Sequence, residues 1–280
     1  MREIDTGLIR DAVRDLIINT NIYESPDMTE ALKKARDNEK SEIGQNVLGM
    51  LCDNLKAASE DKVPVCQDTG MAVLFVEIGQ DVRLTGDYIG DAINEGVRAA
   101  CKEGYLRASV VRDPIDRVNT ADNTPAVVHY NIVPGDSVRV TAAPKGFGSE
   151  NMSRLAMLKP ADGLEGVRRF IVDTVGKAGA NACPPYVVGV GIGGDFEKCA
   201  EMSKHALTVK CEEHSEIPWV KQFEEELLEE INGLDIGPAG LGGNVTALAV
   251  HVESAPTHIA GLPVAVNMCC HVCRHGSVKI

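Results

Sequence analysis

Apolar residues recur every third or fourth position through the first sixty residues, a period that predicts helices. Ile9, Val13, Leu16 and Ile17 line one helical face, and Ile43, Val47, Leu51 and Leu55 line another. The second helix ends around Ser59-Glu60-Asp61, and the chain enters Lys62-Val63-Pro64-Val65-Cys66. Then the pattern changes. Ala72-Val73-Leu74-Phe75-Val76-Glu77-Ile78, closed by Gly79, is a continuous apolar run that predicts a buried strand. Residues 87–100 form an amphipathic helix carrying Ile89, Ala92, Ile93 and Val97 on one side. Residues 126–133 and 137–142 read as strands, and Pro134-Gly135-Asp136 between them predicts an antiparallel hairpin. The segment Gly146-Phe147-Gly148-Ser149-Glu150-Asn151 leads into a predicted helix. Further helices are expected at 164–177, around Cys199 and at 217–231, with strands at 187–192, 245–252 and 263–267. The expected class is α/β or α+β: a mixed β-sheet with an antiparallel hairpin, flanked by helices, with a helical N-terminal region. No repeat or linker interrupts it, so a single domain over residues 1–280 is expected.

Composition narrows the function classes. Hydrophobic residues make up 44% and charged residues 25%, the balance of a globular protein, while aromatics are only 4%. The core must therefore rest on Val, Leu, Ile and Ala. A formal charge of −13 leaves no strong basic patch for phosphate backbones and argues against nucleic acid. No apolar run reaches the ~18 residues of a membrane span, and the first residues lack a signal-peptide core, so a cytoplasmic location is expected. Thiols stay reduced there, and the nine cysteines are not read as a disulfide framework. Cys52, Cys101, Cys199 and Cys211 fall in or near helices and read as packing. Glu224, Glu225, Glu226, Glu229 and Glu230 read as a solvated helix face. No role is assigned to His205 or His214, and His129 reads as a strand histidine. Gly191-Ile192-Gly193-Gly194 lacks the full dinucleotide fingerprint, so a nucleotide role is not expected.

Chemistry concentrates on three cysteine segments: Val-Pro-Val-Cys66-Gln67-Asp68-Thr69-Gly70, Ala-Cys183-Pro184-Pro185-Tyr186, and Cys269-Cys270-His271-Val272-Cys273-Arg274-His275-Gly276. Each sets a thiol among turn-forming or charged residues. Cys270 and Cys273 have the spacing of a zinc-binding pair, but no second pair lies at a compatible distance. Iron–sulfur clusters accept thiolates from separate loops, and three thiolates on a four-iron cluster leave one iron open as a Lewis acid. Ligand spacing alone leaves both metals open. Gln67 and Asp68 place an amide and a titratable carboxylate beside the Cys66 thiol. Arg274 and His275 add positive character that suits an anion.

Taken together, the segments resemble the class I fumarate hydratase and L-tartrate dehydratase family. Pro-Val-Cys66-Gln67-Asp68-Thr69-Gly70, Ala-Cys183-Pro184-Pro185-Tyr186 with Gly191-Ile192-Gly193-Gly194, and Val-Asn-Met-Cys269-Cys270 carry the likeness. Leu106-Arg107, Lys145-Gly146-Phe147-Gly148-Ser149 and Pro256-Thr257-His258-Ile259-Ala260-Gly261-Leu262-Pro263 extend it in order over nearly the whole chain. The resemblance implies the cluster-binding α subunit, with the C-terminal half on a separate β subunit and an α2β2-type hetero-oligomer. It implies a [4Fe-4S] cluster on Cys66, Cys183 and Cys270. Cys270 is preferred over Cys269 because it lies twelve residues after His258, as in the family pattern. It also implies Asp68 and His258 as catalytic residues and Gln67, Arg107, Gly148 and Ser149 as substrate contacts.

The chemistry of these residues suits a four-carbon dicarboxylate, since an arginine fork meets a carboxylate with two bonds. Arg107 is the best such arginine, with Lys145 a weaker cation. The expected activity is reversible hydration of fumarate to malate, with L-tartrate dehydration as the alternative and the catalytic base on the β subunit, so that this chain alone is inactive. A zinc-holding, non-catalytic scaffold is the rival from a different class. It accounts for the cysteines but not for Gln67, Asp68, Arg107 and His258.

Overall fold

A computed structural model describes all residues, Met1–Ile280. The chain starts with β1 (Arg2–Asp5) and α1 (Thr6–Ile22), followed by α2 (Pro26–Asn38) and α3 (Glu42–Asp61). Next come β2 (Val73–Gly79), β3 (Val82–Thr85), α4 (Ile89–Glu103), β4 (Val127–Val133) and β5 (Val138–Ala142). The one-turn helix α5 (Phe147–Glu150), β6 (Arg154–Leu158), α6 (Gly163–Ala178) and β7 (Tyr186–Gly194) succeed them. The chain closes with α7 (Phe196–His205), α8 (Pro218–Asn232), β8 (Ala247–Thr257), β9 (Leu262–Cys269) and β10 (Gly276–Lys279). Two compact units result: Met1–Ser25, Leu55–Phe147 and Arg274–Ile280 form the first, and Pro26–Asn54 and Gly148–Cys273 the second. No helix is long and apolar enough to cross a membrane.

In the first unit a four-stranded sheet runs β10-β5-β2-β4, and β1 pairs with β3 in parallel. Ile9, Val13 and Ile17 of α1 and Ile93, Val97 and Ala100 of α4 bury their apolar stripes with Leu74 and Val76 of β2 and Val138 and Val140 of β5. Those are the stripes the helical period predicts. The hairpin is different. β4 and β5 both form, but β2 lies between them, parallel to β4 and antiparallel to β5. Pro134-Gly135-Asp136 therefore bridges over the end of β2, where Gly79 N donates to Ser137 O (2.9 Å) and Gln80 N to Val133 O (2.8 Å). The reason is burial: β2 is the most apolar strand of this sheet, and a central position satisfies both of its edges.

The second unit holds a sheet in the order β6-β9-β7-β8. One face carries Val188, Val190, Val250, Val252, Val264, Val266 and Met268 against Val167, Ile171 and Val175 of α6 and Phe223, Leu227 and Ile231 of α8. Side chains alternate along a strand, so Ala265 and Cys269 of β9 turn to the other face. There Ala265 meets Cys199 and Met202 of α7, and Cys269 meets Met28 of α2, Leu207 and Cys273. The glycines of β7 serve this packing: a Cβ on Gly191 would stand 2.1 Å from the Cys199 carbonyl oxygen.

Three further expectations are corrected. Residues 154–158 form β6 rather than a helix, paired with β9. The acidic face of α8 is interrupted, because Glu224 is buried and accepts from Val252 N (2.8 Å) and Ser215 N (3.2 Å). On α3, Leu48, Leu55 and Ala58 are buried while Ile43 is exposed, so the buried stripe is rotated from the predicted one. Mixed sheets with antiparallel pairs and flanking helices agree with the expected class.

Candidate active site

The loop after α3 carries the first candidate thiol and the polar residues beside it. Val65 N donates to Asn21 O (2.8 Å), which fixes the chain one residue before Cys66. The Cys66 thiol lies 3.4 Å from Gln67 Oε1 and accepts from Asp68 N at 3.4 Å. Asp68 Oδ1 accepts from Gly70 N (3.1 Å), closing a tight carboxylate-capped turn, and Oδ2 accepts from Phe147 N (2.9 Å). The carboxylate thus ties two sequence segments together while staying half-exposed. Gly70 makes the approach possible: its φ is +78°, and a Cβ there would stand 2.7 Å from the Lys145 carbonyl. Met71 N donates to Lys145 O (3.0 Å) and Lys145 N to Met71 O (2.9 Å), a single antiparallel bridge.

Arg107 joins this group through its backbone. Arg107 N donates to Thr69 Oγ1 (3.0 Å), and Asn123 Nδ2 donates to Arg107 O (2.8 Å). The guanidinium itself is exposed. Thr69, which sequence reasoning passed over, is therefore the link that sets Arg107 beside Gln67 and Asp68. Lys145 is only 4% exposed, and its ammonium reaches Gly146 O at 3.4 Å.

The second unit carries the other two thiols at one end of its sheet. Cys183 ends a 3₁₀ turn (Gly179–Ala182) in a left-handed conformation (φ +55°) and is exposed. Its carbonyl accepts from His271 Nδ1 (3.1 Å) and His271 N (3.4 Å), tying it to the residue after Cys270. Because a carbonyl only accepts, the His271 proton sits on Nδ1. Burial pushes the His271 pKa down, and the bond to Cys183 offsets only part of that, so the ring is held neutral. Cys270 is half-buried, whereas Cys269 (5% exposed) and Cys273 (2%) sit in the apolar cluster under α2. Gly148 lies at the same end, 3.9 Å from Asn181 O measured from its would-be Cβ. Ser149 is buried beside it in sequence, and Ser153 Oγ accepts from Met268 N (3.0 Å).

His258 does not join them. It stands in the turn between β8 and β9, exposed, with its Nδ1 accepting from Ala260 N (3.2 Å). Val187 pairs with Cys269 and Gly194 with Thr257, so β7 separates His258 from the thiol end by seven residue steps, roughly 23 Å.

A model of the family described as fumarate hydratase (Fumerase) matches residues 10–279. The chain belongs to the fumarate hydratase family. A putative L(+)-tartrate dehydratase subunit alpha of Methanocaldococcus jannaschii is 40% identical over 278 residues, covering 97% of each chain. An L(+)-tartrate dehydratase subunit alpha of Escherichia coli UTI89 is 34% identical over 258 residues, 91% of this chain and 84% of the relative. The K12 counterpart is 33% identical over the same length.

As a fumarate hydratase family member the chain has the donors for a thiolate-held metal group. No cysteine is in a disulfide. Cys66 belongs to the first unit, and Cys183 and Cys270 to the second. Neither unit by itself gathers three or more His, Cys, Asp or Glu side chains into a metal-holding set. The chemistry of the donors nonetheless fits an iron–sulfur group: Cys66, Cys183 and Cys270 are each at least partly accessible and lie in loops, whereas the other partly accessible thiols, Cys52 and Cys211, lack a following pair such as Gln67-Asp68.

Proposed function

We propose that residues 1–280 act as one functional module, the α subunit of a hydro-lyase that adds water to, or removes it from, a four-carbon dicarboxylate. The observation that carries this is the Cys66–Asp68 turn. One residue pair offers a thiol for a metal group and a carboxylate whose position is fixed by two backbone N–H donors. Fumarate and malate are the first substrate choice. L-tartrate has its own support, because the curated relatives named above are L(+)-tartrate dehydratase alpha subunits.

Cys66, Cys183 and Cys270 would hold a [4Fe-4S] cluster, which when bound supplies a Lewis-acidic iron. Asp68 takes and returns the proton of the substrate hydroxyl, its carboxylate held in position by the N–H groups of Gly70 and Phe147. Arg107 meets one substrate carboxylate, Gln67 offers an amide beside it, and Gly148 presents a sterically open stretch of backbone with buried Ser149 next to it. The base that removes the carbon-bound proton belongs to a β subunit, in an α2β2-type cytoplasmic assembly. His258, a long strand away from Cys183 and Cys270, serves this chemistry only if a second α chain presents it.

Anaerobic reconstitution with iron and sulfide, followed by addition of the β subunit and assay with fumarate and L-tartrate, tests the reading. Broad visible absorption and hydration or dehydration only after the β subunit is added are expected. Stoichiometric zinc with no iron uptake would establish the scaffold instead.

A further inference from the structure

Strand β4 leaves one edge of the first unit's four-stranded sheet open. Its register with β2 runs unbroken from Val73 opposite Val127 to Gly79 opposite Val133. Val127 N donates to Ala72 O (2.9 Å) and Val133 O accepts from Gln80 N (2.8 Å), so the odd-numbered residues of β4 turn their backbone groups to β2. The residues between them point the other way. Val128, Tyr130 and Ile132 therefore hold their N–H and C=O groups outward, and no strand pairs with them.

Proteins protect such edges with charge, proline, bulges or short length. The other outer strands of the two four-stranded sheets do so. Lys279 stands on β10 and Arg154 on β6, and β8 carries Glu253 while Glu224 caps its Val252 N. Seven-residue β4 has no Asp, Glu, Lys, Arg or Pro and no bulge. It also shows apolar side chains to water, with Tyr130 46% and Ile132 65% exposed.

The strand itself indicates what fits this edge. Val-Val-His-Tyr-Asn-Ile-Val has the same character read from either end. Laid antiparallel on its own copy about Tyr130, Val127 faces Val133, Val128 faces Ile132, His129 faces Asn131, and Tyr130 faces its counterpart. Apolar meets apolar, polar meets polar, and no like charges are opposed. The outward residues fall on the hydrogen-bonded pairs, so every outward N–H and C=O of both strands finds a partner. Val128 packs against the core under α1 and α4, and alternation puts Tyr130 and Ile132 on that same face. Self-pairing thus continues the apolar face across a two-fold axis and covers both exposed side chains.

We propose that β4 is the surface through which two copies of this chain associate, as an antiparallel β4–β4 pair centred on Tyr130. Two four-stranded sheets then become one continuous sheet, through a contact that uses the same patch on both copies. The inference does not depend on the hydro-lyase reading; within that reading, β4 is where two α chains meet.

The test is sedimentation velocity of the full chain over a range of concentrations. Wild type should sediment at twice its 30.0 kDa chain mass. Tyr130→Lys sets two ammonium groups opposite each other on the axis and should weaken association roughly tenfold or more, with an unchanged circular dichroism spectrum. Ile132→Lys should weaken it too, while Lys279→Ala on the opposite edge should leave the dimer intact. Tyr130→Cys should cross-link to itself on mild oxidation, because paired Cα atoms stand ~5.5 Å apart, within disulfide range. The readout is a peptide joined at position 130 to its own copy. If Tyr130→Lys does not fold, Ile132→Lys and the cross-link decide. A monomer at high micromolar concentration, a dimer indifferent to both lysines, or a Tyr130→Cys chain that never links to itself overturns the proposal. Cross-linking to the β subunit in place of a second copy would assign the edge to that chain and overturn it equally. A β4-dependent dimer without fumarate or tartrate turnover would support this inference and overturn the hydro-lyase reading alone.

Discussion

Strand alternation separates the two residues of the Cys269-Cys270 doublet. Cys269 is the last residue of β9 and points into the apolar cluster with Met28 and Leu207, while Cys270 lies past the strand and is half-exposed. After anaerobic reconstitution, Cys66→Ser, Cys183→Ser and Cys270→Ser should each lose iron, measured as iron per chain. Cys269→Ser should keep its iron and lose about 1–3 kcal/mol of stability from an unpaired buried hydroxyl. Iron loss from Cys269→Ser alone would reassign the ligand. Asp68→Asn should lower kcat by roughly 10²–10⁴-fold with iron content unchanged, as expected of a group that handles a proton. Equal activity with the amide would remove Asp68 from the chemistry. The pairing of Cys66 with Gln67 and Asp68 was legible from the sequence because all three are adjacent. Thr69 holding Arg107 was not, since the bond spans 38 residues.

Among the elements, the connection from α2 to α3 depends on a single buried carboxylate. Glu39 is 2% exposed and accepts backbone N–H groups from Lys40, Ser41, Asn244 and Val245. It thereby pins the end of α2 to the loop before β8. Burial alone would raise its pKa, but the four donors outweigh burial and hold it below the ordinary 4.5. A depressed carboxylate stabilises the fold above its unfolded pKa, and that contribution is lost as pH falls through the folded value. Glu39→Gln should therefore lower stability at pH 7 by about 1–3 kcal/mol. The difference from wild type should shrink as the pH falls below the ordinary 4.5 and through the lower folded value. A pH-independent difference in urea or thermal unfolding would contradict the assignment. The same scale explains the displaced hairpin. Pro134-Gly135-Asp136 is a real turn, but local turn chemistry says nothing about whether a third strand inserts between its flanks. β6 escaped notice for a related reason: Arg154–Leu158 is short, and its partner β9 is more than a hundred residues later.

For the whole molecule, the position of His258 sets a requirement on assembly. If His258 acts, it acts on a second α chain, so two inactive variants should rescue each other. His258→Asn and Cys66→Ser chains, co-assembled at equal amounts with the β subunit, should regain about a quarter of wild-type activity, because half of random pairs are mixed and each mixed pair has one complete site. No recovery would mean that His258 has no role or that α chains are not paired.

Sequence alone determined the family, the helical start and six of the ten strands, and it singled out the three candidate thiols. Those properties reside in contiguous segments, where periodicity and adjacent side chains carry the information. Tertiary structure decided the rest. It placed β2 between β4 and β5, turned Cys269 into the core, buried Glu39 and Glu224, and carried His258 to the far end of β7. It also set Asn21 opposite Arg274 across 253 positions of sequence. Such outcomes depend on which apolar faces find one another, and no local spacing encodes that choice.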